Sequence, residues 1–281
     1  MKTPETPLQT ESTLRNREAM RLRYPEGLSP ADEDLLLAFA VRDLAAAQVA
    51  IASGADPDVM LDGWGERLAA LAVWEGCPEF TELLLDAGAD PLARNPMTGE
   101  AELPFALCAQ GPASLLQRVM LQYPVSPNLD DGADDLAVHA AESGRVDCLR
   151  VLREAGAELF ANDAKALCRA CDENQAAVVH YLVNECGAPL ELEYDDWSPL
   201  FYAARSNALD CARILLLAGA NPLHEDICDG TPLSWAATDD MHQLLSSLLP
   251  GRGNVRKQRE KLARQVAECL KKSCGFVPEQ D

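Results

Sequence analysis

The chain has 281 residues, 48% of them hydrophobic and 25% charged, with 45 Asp and Glu against 24 Lys and Arg, a net charge of −21. That balance argues against direct binding to nucleic acid, which needs Lys and Arg against phosphate, and against anionic membranes. No stretch approaches the roughly 20 apolar residues of a membrane span, and ten Cys without an apolar leader after Met1 read as reduced thiols of a cytoplasmic protein.

In chain order, residues 1–28 form a polar segment with Pro4, Pro7 and Pro25, partly disordered or a short helix between Thr10 and Arg23. From there to residue 250 one beat recurs. Gly54-Ala55-Asp56-Pro57 is followed after 34 residues by Gly88-Ala89-Asp90-Pro91 and after 68 more by Gly156-Ala157-Glu158. Gly187-Ala188-Pro189 and Gly219-Ala220-Asn221-Pro222 follow at 31 and 32 residues. Apolar runs such as Leu83-Leu84-Leu85 and Ile214 to Leu217 precede the glycines. A period of this length means a solenoid whose units cannot bury their apolar faces alone. The copies set out units at Asp32 to Pro57 and at about 60–91, 92–125, 130–158, 159–190, 191–222 and 224–249. Residues 251–281 form a C-terminal basic amphipathic helix and tail. Val255, Leu262, Val266, Cys269 and Leu270 fall near one helix face there, either to cap the last unit or to bind a partner.

A second half-signature strengthens the first. Asp229-Gly230-Thr231-Pro232-Leu233-Ser234-Trp235-Ala236-Ala237 and Trp197-Ser198-Pro199-Leu200-Phe201-Tyr202-Ala203-Ala204 are two copies, and Asp135 to Gly144 a degenerate third. Pro suits the first helical turn, where its missing N–H has no partner, and Gly suits the left-handed stop of the second helix. These motifs resemble the ankyrin-repeat family over about residues 30–250, and the Ala- and Leu-rich, irregular copies look like bacterial ankyrin proteins. The resemblance implies an all-α ankyrin-repeat solenoid of about seven helix-turn-helix units, capped at both ends. It implies a protein-binding scaffold that is not an enzyme and uses no cofactor.

The repeat body holds 37 acidic and 11 basic residues, a net −26, while the two flanking segments are slightly basic. The resemblance places the loops between units as fingers beside a concave face. Candidate partner-binding residues there are Asp62, Trp64, Asp130, Asp131, Asp134, Glu193, Tyr194, Asp195, Asp196, Trp197, Glu225 and Asp226. Trp74, Glu75, Glu142, Asp172, Asp239 and Asp240 are expected at the ends of first helices, lining the same groove. The expected partner is a protein with a basic surface, met by a monomer. Two roles stand open: a cytoplasmic bacterial inhibitor of the immunity type that blocks a basic toxin, and a secreted effector, for which the polar N-terminus suits a secretion signal.

Cys168, Cys171, His180 and Cys186 invite a zinc reading, but the repeat register sends Cys168 and Cys171 to core positions and His180 outward, so no metal site is expected. No catalytic motif stands out. The four His residues lie in different units, and there is no G-x-S-x-G, H-E-x-x-H or phosphate loop.

Overall fold

The computed structural model describes residues 28–60, 65–132, 134–160, 164–247 and 255–274, with side chains of the last helix described over 258–271. The chain divides after Ser126 into two compact halves. The N-terminal half contains α1 (Pro30–Ala40), α2 (Leu44–Ala52), α3 (Leu68–Trp74), α4 (Pro78–Asp86), α5 (Glu102–Ala109) and α6 (Ala113–Gln122). The C-terminal half contains α7 (Leu136–Glu142), α8 (Val146–Glu154), α9 (Lys165–Asp172), α10 (Ala176–His180), α11 (Pro199–Arg205), α12 (Leu209–Ala218), α13 (Asp239–Ser247) and α14 (Val255–Cys274). A π-helical turn, Tyr181–Glu185, continues α10. Within the halves first helices stack on first helices (α3 on α5, α9 on α7 and α11) and second helices on second helices (α2 on α4, α10 on α12). The buried residues are correspondingly small or branched: Ala70, Ala72, Ala106, Ala140, Ala141, Ala203 and Ala204 let first helices approach, and Leu84, Leu116, Leu152 and Leu215 fill the seams.

Each residue of the recurring Gly-Ala-Asp has its own task. Gly54, Gly88, Gly156, Gly187 and Gly219 all have φ between +71° and +110°, the left-handed stop that only Gly adopts without cost. Ala55, Ala89, Ala188 and Ala220 are buried. The third residue makes an Asx turn over the following Pro: Asp56, Asp90 and Asn221 side chains accept the N–H of Asp58, Leu92 and Leu223 at 2.9–3.0 Å. Its own N–H is received by a side chain 24 to 32 residues earlier, at or just ahead of the start of its unit. Asp56 N donates to Asp32 at 2.7 Å, Asp90 N to Asp58 at 3.1 Å, Glu158 N to Asn128 at 2.8 Å and Asn221 N to Glu191 at 2.7 Å. The motif is thus a helix stop, a core contact and a link from the end of a unit back to its start.

Three repeats depart from the pattern. In the 159–190 repeat, Gly187 follows Asn174 by 13 residues, where Gly54, Gly88, Gly156 and Gly219 follow Arg42, Gly76, Gly144 and Asn207 by 12. The extra residue is absorbed as the π turn: Cys186 N reaches Tyr181 O, and Ala188 N reaches Leu182 O six residues back, where Ala157 N and Ala220 N reach back five. In the last repeat, Thr231-Pro232-Leu233 opens a turn instead of the expected first helix. Ser234 Oγ accepts the Thr231 N–H and donates to the Thr231 carbonyl, drawing the backbone away from helical bonds. Pro232 stands only 7 residues before α13, whereas Pro199 stands 10 before α12, so about one helical turn of chain is missing. The 92–125 repeat ends at Tyr123 in extended backbone without a left-handed glycine, and the division of the chain follows it.

The last helix packs along the second helices α10 and α12. Leu262, Val266 and Leu270 are buried against them, while Arg259, Lys261, Arg264 and Lys271 face outward.

Candidate functional site

Single antiparallel bridges stand at the bases of four fingers, Met60 to Arg67, Arg94 to Ala101, Asp130 to Asp135 and Tyr194 to Trp197. The sharpest is Tyr194-Asp195-Asp196-Trp197. Tyr194 and Trp197 exchange both backbone hydrogen bonds, at 3.0 and 3.1 Å, around a two-residue tip. Asp195 and Asp196 have φ of +49° and +65°, the positive pair that a type I′ turn requires and that Asp tolerates better than most residues. Both carboxylates therefore point from an exposed tip.

Behind this tip lies an aromatic bank. Trp197 stacks on Phe201 and meets Trp235 with ring centroids 4.8 Å apart. Tyr194 stacks on Tyr202, whose hydroxyl donates to the Tyr194 carbonyl at 3.0 Å. The Arg205 guanidinium lies over Trp197 at 5.1 Å and over Tyr202 at 5.4 Å, and Lys165 Nζ lies 5.0 Å from the Tyr194 ring centre. Trp235 remains 41% exposed, and Ile227, at the tip of the neighbouring finger, 76%. Asp226 builds that finger. Its carboxylate accepts from Cys228 N, Gly230 N and Trp235 Nε1 at 2.8–3.0 Å. Burial works against its ionisation, but the N–H groups of Gly230 and Cys228 and the indole N–H outweigh it and hold the carboxyl below its usual range.

The candidate acids fall into two sets. One set is spent inside the protein. Asp131 meets His139 Nε2 at 3.0 Å, Asp134 meets Lys165 Nζ at 2.6 Å, Glu142 meets Arg169 Nε at 3.3 Å and Glu193 meets His224 Nε2 at 2.7 Å. Asp172 accepts from Arg205 Nη2 at 2.8 Å and from Ser206 Oγ. Desolvation raises the Glu142 carboxyl despite Arg169. At Asp172 the same desolvation is overcome by Ser206 and Arg205, and the carboxyl is lowered. Lys165 is held charged, since Asp134 and the Tyr194 hydroxyl outweigh its burial. The other set, Asp130, Asp195, Asp196 and Glu225, is exposed and forms no ion pair among the described residues. The acidic face of the C-terminal half is therefore a row of paired acids along the fingers and first-helix ends, fringed by unpaired carboxylates at the finger tips.

The remaining candidates are placed as follows. Trp74 closes α3 and is 51% exposed, and the next residue, Glu75, receives Arg42 Nη2 on its carbonyl at 3.2 Å. Asp239 and Asp240 open α13 rather than ending a first helix, because the missing turn of chain lets that second helix start early. Asp62 and Trp64 lie outside the described residues. Sequence reasoning missed Arg205, Lys165, Trp235 and Ile227. The pairing of the first two depends on which residues of adjacent repeats share a register. Ile227 had a signal, as an apolar residue alone in an acidic loop.

The thiols pack in the core. Cys148, Cys168, Cys171 and Cys211 are fully buried. Burial pushes the Cys148 thiol up to about 12, and the Cys168 and Cys171 thiols rise for the same reason. His180 faces α14, away from Cys168 and Cys171.

A family model described as ankyrin repeats, in three copies, matches residues 138–226, from within α7 to the finger that holds Asp226. Among solved structures, the ankyrin repeat domain of human ASB11 is similar over 83% of this chain and 97% of its own, with a TM-score of 0.64 and 21% identity. The ankyrin repeat domain of Bcl-3, a member of the IkappaB protein family, is similar over 75% of this chain and 97% of its own, with a TM-score of 0.55 and 23% identity. No curated protein matches the sequence. Ankyrin repeats are present, and the fold is an all-α ankyrin-repeat solenoid. No helix among the described residues is long and apolar enough to cross a membrane.

Proposed function

We propose that the chain is a non-catalytic scaffold that binds another protein through the finger tips of its C-terminal half, and that this partner presents a basic surface. The observation that carries the reading is the juxtaposition of unpaired carboxylates (Asp195, Asp196, Glu225) with an exposed aromatic and aliphatic pair, Trp235 and Ile227. Such a patch supplies an apolar anchor with a charged rim, the usual division of labour in an interface. Ankyrin repeats generally bind proteins, and a chain of net charge −21 draws a cationic partner in by long-range steering. The paired acids Glu142, Asp172 and Glu193 hold the fingers in place; the tips and the rings beside them meet the partner.

Within that reading the role we favour is a bacterial, cytoplasmic inhibitor of the immunity type, monomeric when free, that covers the working surface of a basic toxin. The charge of the body supports it, since toxins acting on nucleic acid carry cationic surfaces that an acidic cover would block. The test is co-purification of the chain with the product of a neighbouring reading frame, followed by assay of that product alone and in complex. A tight complex with suppressed toxicity supports inhibition. Failure to bind any neighbour-encoded protein, with recovery of a host protein instead, overturns it in favour of a host-directed effector.

A further inference from the structure

The helix α14 does not seal the surface it covers. Between it and the second helices lies a cleft of about 320 Å³, lined by His180 and Asn184 on one wall, Ile214, Leu217 and Ala218 on the second, and Ala263, Val266, Ala267 and Leu270 on the third. Three features set it apart from a packing fault. Its volume falls within the range of small-ligand sites, about 300–1,000 Å³, and its lining is apolar with two convergent polar groups, the pattern such sites show. The polar wall is made by the inserted residue: His180 ends α10 and Asn184 lies within the π turn, and one-turn π insertions are frequent at functional sites. The opposite wall is kept open by Ala263 and Ala267, one turn apart, where larger side chains would close it.

We propose that this cleft binds a small uncharged amphiphile, an apolar body with one neutral hydrogen-bonding head such as a phenol, an alcohol or an aromatic N–H. Among the described residues the lining contains no Asp, Glu, Lys or Arg, and against these residues a charged ligand would lie without a counter-ion. The carboxamide of Asn184 offers a donor and an acceptor to a neutral head, with the polar edge of the His180 imidazole on the same wall. Burial holds the His180 pKa down, with Glu185 acting the other way, so the ring meets the ligand uncharged. The ligand would bridge α14 to α10 and α12 and so fix the last helix in place, on a face built from second helices rather than from the fingers.

The test uses the full chain and N-phenyl-1-naphthylamine, a neutral probe with one N–H whose fluorescence rises on leaving water. The expected result is saturable, one-site binding. Ala267→Leu, which fills the cleft, weakens it at least tenfold, and Asn184→Ala, at an exposed position that leaves the packing intact, weakens it by about three- to tenfold, the worth of one neutral hydrogen bond. Far-UV circular dichroism establishes that both variants are folded. Binding unchanged in both variants overturns the proposal. So does a signal lost equally in Ile227→Ser, which would place the probe on the exposed finger.

Discussion

Replacing Leu262 by Ala should loosen α14 without unfolding the repeats. Leu262 is 4% exposed, and with Val266 and Leu270 it makes up the buried stripe among the described side chains of α14. Truncation of a buried Leu costs about 2–5 kcal/mol in a closed core. Here the neighbouring clefts permit partial collapse, so the low end, about 2–3 kcal/mol, applies. A single polar helix docked by three side chains opens before the repeats do, so this loss falls on a local equilibrium. At about 1.4 kcal/mol per factor of ten, exchange of the α14 amides should accelerate roughly 30- to 150-fold. The amides of α8 and α11 should change less than about threefold. Native-state hydrogen exchange read by mass spectrometry checks this peptide by peptide. Unchanged protection of α14, or equal acceleration in α8, would refute the reasoning, because it would mean that the helix is not held by this stripe.

Two other predictions probe the repeat grammar. Asp58 receives the Asp90 N–H in a position where desolvation raises its carboxyl, despite that bond and Arg67. Its folded pKa thus lies above the unfolded one, so its contribution is most favourable at low pH and is lost as pH rises through the folded value. Asp58→Ala should cost about 1 kcal/mol, and Asp58→Asn, which keeps an acceptor, should lie within about 0.5 kcal/mol of wild type and compare better at pH 7 than at pH 4. Urea titrations at the two pH values decide; an Asn variant that compares better at pH 4 contradicts the sign. Deleting Val183 should convert the π turn to regular helix and leave melting nearly unchanged, whereas deleting Arg153 from α8, which has no residue to spare, should lower Tm on the order of 10 °C. Equal losses by differential scanning calorimetry would mean that the π turn is not an absorbed insertion.

The architecture was legible because the local chemistry of each motif residue is independent of its neighbours. The left-handed stop of a second helix, with φ of +71° to +110°, favours Gly whatever packs beside it, and an Asx turn over Pro needs only its own three residues. The spacing of 13 between Asn174 and Gly187 also stood in the sequence, but a one-residue excess has no meaning until the hydrogen bonds show where it goes. The last repeat misled for a similar reason: Thr231-Pro232-Leu233 is a sound helix start, and only the length remaining before α13 denies it a helix. The candidate site was legible by composition and not by pairing. Asp130, Asp195 and Asp196 look the same in sequence as Asp134 and Asp172, yet the latter two face Lys165 and Arg205 from the next repeat. Which acids remain unspent is a property of stacking, invisible until the register is known.

The central claim is that unpaired finger-tip carboxylates bring in a basic protein. Its most direct test is the association rate of the co-purified partner, by stopped flow from low to physiological salt, with wild type and with Asp130→Asn, Asp195→Asn and Asp196→Asn combined. Asn is the right replacement at the tip, since it removes charge while still tolerating the positive φ of 195 and 196. The account predicts a wild-type rate that falls steeply with salt, and a variant rate lower by about tenfold at low salt with a shallower slope. Equal rates and equal salt slopes for the two proteins would contradict it.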